Sequence, residues 1–339
     1  MSHFVDTMAY VGELPWHGLG TYLGEENVSG KDMMIAAKLD WRVTKAPVYY
    51  QDIDNVYQVV EDQYTIIRED TGVSLGCTVG SKYEPFQNVD LFKFGDDLVE
   101  TGEVRWHTAG SLKENRKIWG LAQIAGEQEI ARRPSTNRIT RDVHVPFLLI
   151  YNSHDGSSCL TARLTSVRVV CWNTLSMALT QSMPEFRVRH TEAIMERAEE
   201  ARELLGLAQE ASQTQKEVLQ GLADTPFSGV QFTEFTAQLL TGKNDVDEAL
   251  SKVAHMKDRQ RTQVNRKAGE LGVLFTNGDG NGGADKKDAL DAVTQFIDRQ
   301  KNRIVEWKKL DNRAQGKRLN AQVFGSGEAL KNRAMRLLS

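Results

Sequence analysis

Apolar and polar residues alternate through much of the first half of the chain, the period of a half-buried strand. The runs "APVYYQ", "VYQVVED" and "QYTIIRED" read as strands, the last closing at the turn "DTGV". Two longer runs fold back on themselves. "EVRWHTAGSLKENRKIWGLAQIA" predicts a hairpin bent at "KENR", and "VHVPFLLIYNSHDGSSCLTARLTSVRVV" a second one bent at Asp155-Gly156. Helical spacing interrupts the alternation twice. In "VSGKDMMIAAKLDW" Ser29 suits an N-cap and Met33, Met34, Ala37 and Leu39 supply the apolar side. In "NVDLFKFGDDLVETG" Leu91, Phe94 and Leu98 do so.

The pattern changes near residues 185–190. From His190 to Leu222, Ile194, Ala198, Ala201, Leu205 and Ala208 recur at helical spacing, an alanine-rich seam suited to close packing. Pro226 ends that run, and shorter helices are expected around 245–271, 285–310 and 326–338, with "FTNGDGNGG" between the first two. The expected fold class is therefore α+β: a mainly antiparallel sheet with long hairpins and short helices in the N-terminal half, and a helical C-terminal half. The expected division is an α+β sheet domain over 1–189 and a helical region over 190–339, with a long helix at 190–223 and the shorter helices packed on the sheet domain.

Composition adds a charge map to this picture. The net charge of the 339 residues is -4. Residues 1–130 carry about ten more acids than bases, residues 131–190 about five more bases, and the last forty about seven more. Three cysteines (Cys77, Cys159, Cys171) without a CxxC spacing suit a reducing compartment. The opening "MSHFVDTMAY" has neither the basic start nor the apolar run of a signal peptide, and no apolar window approaches a membrane span. A cytoplasmic protein without a membrane partner is the expectation.

Candidate chemistry narrows by residue type. No nucleophile signature surrounds any cysteine, although His144 and His154 lie near two of them in sequence; burial as small hydrophobes is the simpler reading. The seven histidines show neither HxxxH nor HxH. "NGDGNGGADKKD" (277–288) places Asn277, Asp279, Asn281, Gly282 and Asp288 on a calcium-loop template. It lacks that template's leading Asp, closing Glu and apolar eighth residue, so a linker is the expected role. "GxxxxGK[ST]" is absent, and "FGSGEALKNRAM" reads as a helix start. No catalytic residue, cofactor or metal is expected. Arginines stand out instead: Arg132, Arg133, Arg138 and Arg141 in "ARRPSTNRITRDVHVP", then Arg163, Arg168, Arg187 and Arg189. A polar, arginine-rich arm suits phosphate contacts, and Trp106 and Trp119 beside the sheet are candidate stacking platforms for bases. Core tryptophans and a solvated arginine loop are the competing reading. On one continuous strand Arg163 and Arg168 fall on opposite faces, so a shared face requires a turn or bulge between them.

Several of these stretches occur together in one family. "PWHGLG", "YEPFQN" (83–88), "AGSLKENRKIW" (109–119), "LLIYNSHDGSSCLTARLTSVRVVCWNTL" and "FGSGEALKNRA" resemble, in order, the phage- and plasmid-like proteins that carry domain of unknown function 932. The resemblance runs from about residue 10 to the C-terminus. It departs in "DKKDALDAVTQF", where the family tends to carry a Thr-x-Trp. It implies a setting in mobile-element DNA metabolism or in handling host defences. A fainter similarity, of architecture and composition, is to phage single-strand annealing proteins of the RecT and Red-beta type, and fold-level likeness of that kind does not license function.

The expected function is thus a non-enzymatic, single-stranded nucleic-acid-binding protein acting in recombination or replication of a mobile element, possibly by strand annealing, and working as a homo-oligomer. The alternative is a protein-interaction module that captures a host protein in counter-defence, with no nucleic-acid activity.

Overall fold

A computed structural model describes residues 5–12, 20–24, 28–99, 104–124, 126–132, 141–168, 173–176, 185–190, 208–299 and 326–339. Its twelve strands are β1 (Val5–Tyr10), β2 (Thr21–Tyr22), β3 (Val43–Gln51), β4 (Tyr57–Arg68), β5 (Ser74–Val79), β6 (Val104–Leu112), β7 (Lys117–Ile124), β8 (Gln128–Ala131), β9 (Arg141–Ser153), β10 (Leu160–Arg168), β11 (Asn173–Ser176) and β12 (Glu185–Val188). The described helices are α1 (Gly30–Ala36), α2 (Asn88–Val99), α3 (Ala208–Asp224), α4 (Gly229–Thr241), α5 (Val246–Ala254), α6 (Asp258–Asn277), α7 (Lys286–Arg299) and α8 (Ser326–Leu338). The α+β class holds.

The larger sheet runs β11-β10-β9-β7-β6-β1-β2, with β12 also on β10 and β8 also on β9; β3-β4-β5 form a separate antiparallel sheet. A mainly antiparallel sheet was the expectation, and the larger sheet is instead mixed. Parallel pairing of β1 with β2, Ala9 opposite Thr21 and Tyr10 opposite Tyr22, makes it so. Both long hairpins form with their expected bends. Lys113 to Arg116 turn β6 into β7, and the turn at Asp155-Gly156, with Gly156 at φ 67°, joins β9 to β10.

Central strands of the larger sheet are buried on both faces, which explains why "FLLIY" is an unbroken apolar run. Leu148 and Ile150 join the core beneath α1 and α2, whereas Leu149 and Tyr151 join Met8, Leu112 and Trp119 on the other side. Trp106 sits in the first of these cores, its Nε1 donating to Asp96 Oδ1 at 2.8 Å. The ring occupies the space where Gly95 of α2 and Gly120 of β7 lack a side chain; a Cβ on Gly95 would overlap it.

This packing reverses the usual sign of a helix substitution. Gly95→Ala should destabilise the protein by roughly 1–3 kcal/mol through overpacking. Gly272→Ala in α6, where an added Cβ meets nothing within 4 Å, should stabilise it by up to about 1 kcal/mol. Urea midpoints of the two variants test this, and equal shifts would refute the packing argument.

Among the described helices of the C-terminal half, α3, α4, α6, α7 and α8 share a second core, including Leu219, Phe232, Phe275, Leu290 and Met335, which Ile130 of β8 joins from the sheet. Of the long helix expected at 190–223, residues 191–207 lie outside the described residues and α3 is the described part. Two element expectations need correction. Ser228 opens an additional helix, α4, through a reciprocal capping box with Gln231. The single helix expected at 245–271 is two, α5 and α6, the first capped by Asp245. No described helix is long and apolar enough to cross a membrane.

Candidate functional site

The bend of the β9–β10 hairpin is built from residues that hydrogen-bond to themselves and to the chain behind them. Ser153 Oγ accepts from Ser158 N at 2.8 Å and donates to Ser158 O, and Asp155 Oδ1 accepts from Ser157 N. Asn152 does not bond locally; its amide donates to Phe86 O. His154 is an anchor rather than a turn residue. It is fully buried, its backbone N donating to Arg116 O at 2.7 Å and its ring lying 5.4 Å from Trp41. Asn88 spends its amide hydrogens on Leu39 O and Trp41 O, so its Oδ1 must accept, and His154 Nε2, 2.8 Å away, is the donor. Burial pushes the His154 imidazole down to about 3.

In front of this anchored bend lies a cavity of about 570 Å³. One wall is the end of β5, Thr78 to Gly80; the other is the turn from Asp155 to Cys159. Its floor is His190, whose ring stacks on Tyr83 with centroids 4.7 Å apart and planes 5° from parallel. Three bonds hold this pair. His190 Nδ1 donates to Glu84 O, Glu84 N donates to His190 O, and the Tyr83 hydroxyl donates to Ser153 O. Lys45 fixes the approach by donating to the carbonyls of Ser81 and Tyr83. With Nδ1 committed as donor, His190 Nε2 is left as an acceptor, and burial lowers the ring to about 4, so it is neutral at physiological pH.

Two exposed cations, Lys82 and Arg189, stand at the cavity, and among the described residues neither pairs with a carboxylate. Asp155 is the one carboxylate in the lining, with one oxygen engaged by Ser157 N. Ser158 Oγ and His190 Nε2, on two lining residues, find no protein partner. A concave site with two cations, one carboxylate and a stacked aromatic pair in its lining suits an anionic, planar ligand.

The sequence-expected residues are dispersed by the fold. Arg189 is in this cavity, and Arg187, two residues earlier on β12, is exposed. Arg132 is not in a solvated arm: its side chain is wholly buried, with NH1 2.9 Å from Asp142 and NH2 against Asp288 and Asp285 of the α7 start. Arg163 is likewise buried, its guanidinium 5.6 Å from the Tyr151 ring. Trp106 and Trp119 are core residues, 3% and 7% exposed, so neither is a platform that a base can reach. Arg133 and Arg138 lie outside the described residues; Arg141 opens β9 opposite Ala131. Arg168 pairs with His144 on a β9–β10 ladder without a bulge, so it and Arg163 do not share a face.

Lys82, Tyr83 and His190 were missed by sequence reasoning. They come together with Asp155 only when β5 and the residues after β12 meet the hairpin end, and the one available signal was a lysine beside "YEPFQN". The calcium-template loop is engaged otherwise. Asp288 Oδ2 accepts from Ala284 N while Oδ1 faces Arg132, and Asn281 donates to Leu274 O. Among the described residues no three His, Cys, Asp or Glu side chains converge as metal ligands do.

Residues 77–323, most of the chain and the whole of this cavity, match the family model described as Domain of unknown function (DUF932). No curated protein and no solved structure matches.

Proposed function

We propose a function for this chain from the premise that it belongs to the DUF932 family: it is a non-catalytic, single-stranded nucleic-acid-binding protein that grips the strand at the hairpin-end cavity. The observation carrying this reading is the convergence of Lys82 and Arg189, unpaired among the described residues, over a stacked Tyr83–His190 floor. The cations meet phosphate, and the Tyr83–His190 pair meets a base or sugar, with little dependence on sequence. The resemblance to phage- and plasmid-like proteins supports a role in recombination or replication of a mobile element, and strand annealing is the specific activity proposed.

Fluorescence anisotropy of labelled single-stranded and duplex oligonucleotides over a salt series is the test. Tight, salt-sensitive binding to single strands is expected. Lys82→Ala with Arg189→Ala should weaken it at least tenfold and flatten the log–log salt slope by about 1.4, the share of two phosphate contacts on a single strand. An unchanged slope removes the cavity from the reading, and no binding at low salt ends it.

A further inference from the structure

We propose that the β3–β4 hairpin is a docking arm for a second copy of this chain, and that it seats on the exposed basic start of α6, joining copies head to tail. Beyond Tyr64 the β4 strand has no β5 partner, so the outer part of the hairpin is a two-stranded ribbon. It is apolar where a solvated ribbon would be polar. Tyr49, Tyr50, Ile53, Val56, Tyr57 and Val59 are all exposed, Ile53 at 96% and Tyr57 at 72%. Tyr49 pairs with Val59 and Gln51 with Tyr57, which gathers Tyr49, Val59 and Tyr57 on one face below the tip.

The tip is rigid. Asp52 Oδ1 accepts from the backbone N of Asp54 and Val56, Oδ2 accepts from Gln58 Nε2, and Asp52 N donates to Val56 O. The Gln58 bond leads in holding the Asp52 carboxyl below its ordinary range. A preformed tip that presents apolar side chains loses little entropy on binding, as an interaction element requires.

Charge selects the occupant. From Ala46 to Tyr64 the ionised groups are Asp52, Asp54, Glu61 and Asp62, with no lysine or arginine. Exposed tyrosines can stack on bases, but this arm's field repels a phosphate backbone and an anionic membrane alike. It calls for a basic surface with some apolar content, and the chain carries one. Lys257, Arg259, Arg261, Arg266 and Lys267 stand on a helical stretch exposed from Lys257 to Gln263, with Val264 half-buried among them. Arg261 is shared with Asp258 and Arg266 with Glu270, which leaves Lys257, Arg259 and Lys267 without a carboxylate among the described residues. Arm and helix are different surfaces of one chain, so their contact is heterologous and propagates into a ring or filament.

Sedimentation velocity of nuclease-treated full-length protein tests this without nucleic acid. The wild type should gain mass over roughly 1 to 100 µM, the range of a small interface, and lose it as salt rises. Asp54→Lys with Glu61→Lys should give a monomer, as should Arg259→Glu with Lys267→Glu; all four positions are exposed, so the fold is retained. Mixing the two variants, or placing all four changes in one chain, should restore assembly. Ile53→Ser with Tyr57→Ser should abolish it irrespective of charge. A wild type that stays monomeric at low salt overturns the proposal and leaves the arm for an unrelated basic protein. Assembly that survives either charge reversal overturns it too.

Discussion

Replacing Arg132 by methionine should remove about 3–5 kcal/mol of folding stability, the largest loss of any single substitution considered for this protein. The guanidinium sits at the junction of two halves of the chain. NH1 meets Asp142 Oδ2 of β9 at 2.9 Å and Asp291 Oδ2 of α7 at 3.4 Å, while NH2 meets Asp288 and Asp285 where α7 begins. Lys287 closes the other side, its Nζ 2.8 Å from Asp291 and 3.3 Å from Asp142. All these side chains are nearly or wholly buried. Without the arginine, buried carboxylates lose their fork of donors and must protonate, take up water or pull α7 away from the sheet. Arg132→Lys should recover only part of the loss, because an ammonium cannot bridge Asp142 and Asp288 with a planar fork. Urea unfolding measures both. A loss below about 1 kcal/mol for the methionine variant would show that the cluster relaxes freely and does not hold the two halves together.

That cluster also marks where sequence reasoning stopped. "ARRPSTNRITR" is polar and basic, and a run of arginines carries no label for its partner. Phosphate and a buried aspartate offer the same oxygens to a guanidinium. The aspartates that hold Arg132 are 10 and about 150 residues away, so only the tertiary fold separates the two meanings. The tryptophans failed for a related reason. Trp106 lies on a strand that is buried on both faces only from Thr108 onward, and the pattern "VRWHTAG" cannot reveal that glycines on two other elements make room for its ring. Local chemistry did better. The bends at "KENR" and Asp155-Gly156 and the Ser29 cap, which accepts from Asp32 N, are set by residues adjacent in the chain. The α4 start was legible in principle, since Ser228 and Gln231 are a capping box in plain sequence. The break between α5 and α6 at "HMK" was not, because it contains neither Gly nor Pro. The hairpin-end cavity is the extreme case: each of its residues is ordinary where it stands, and the site exists only where three distant segments meet.

The second large expectation is a steep loss of stability as pH falls below 6.5, because the fold holds four histidines in their neutral form. Burial is the leading cause in each. It lowers His107 and His190 to about 4, and His154 to about 3, where neighbouring His190 adds to the effect. His144 reaches about 4 because burial and nearby Lys287 outweigh Asp142. The unfolded chain protonates these rings near their ordinary 6.5, so between 6.5 and about 4 it binds more protons than the folded chain, and acid favours unfolding. Asp6 opposes this. Burial raises its carboxyl to about 6, above the unfolded 3.8, so from pH 6 downwards the folded state holds a proton that the unfolded state lacks. Four protons taken up on unfolding, less the one that Asp6 retains, give a slope of about 4 kcal/mol per pH unit at its steepest. For a total stability of about 7 kcal/mol, inside the usual range of roughly 5–15, that places the acid transition near pH 5, and for about 10 kcal/mol near pH 4. Tryptophan fluorescence followed against pH reads it directly, since Trp41 packs on His154. Asp6→Asn should steepen the transition by about one proton and move its midpoint to lower pH, because a neutral amide avoids the cost of ionising a buried carboxyl while a side-chain oxygen remains to accept from Asn115 N. A transition fitted by a single proton would mean that these rings reach water, and with them that His190 is not the fixed, neutral residue on which the cavity depends.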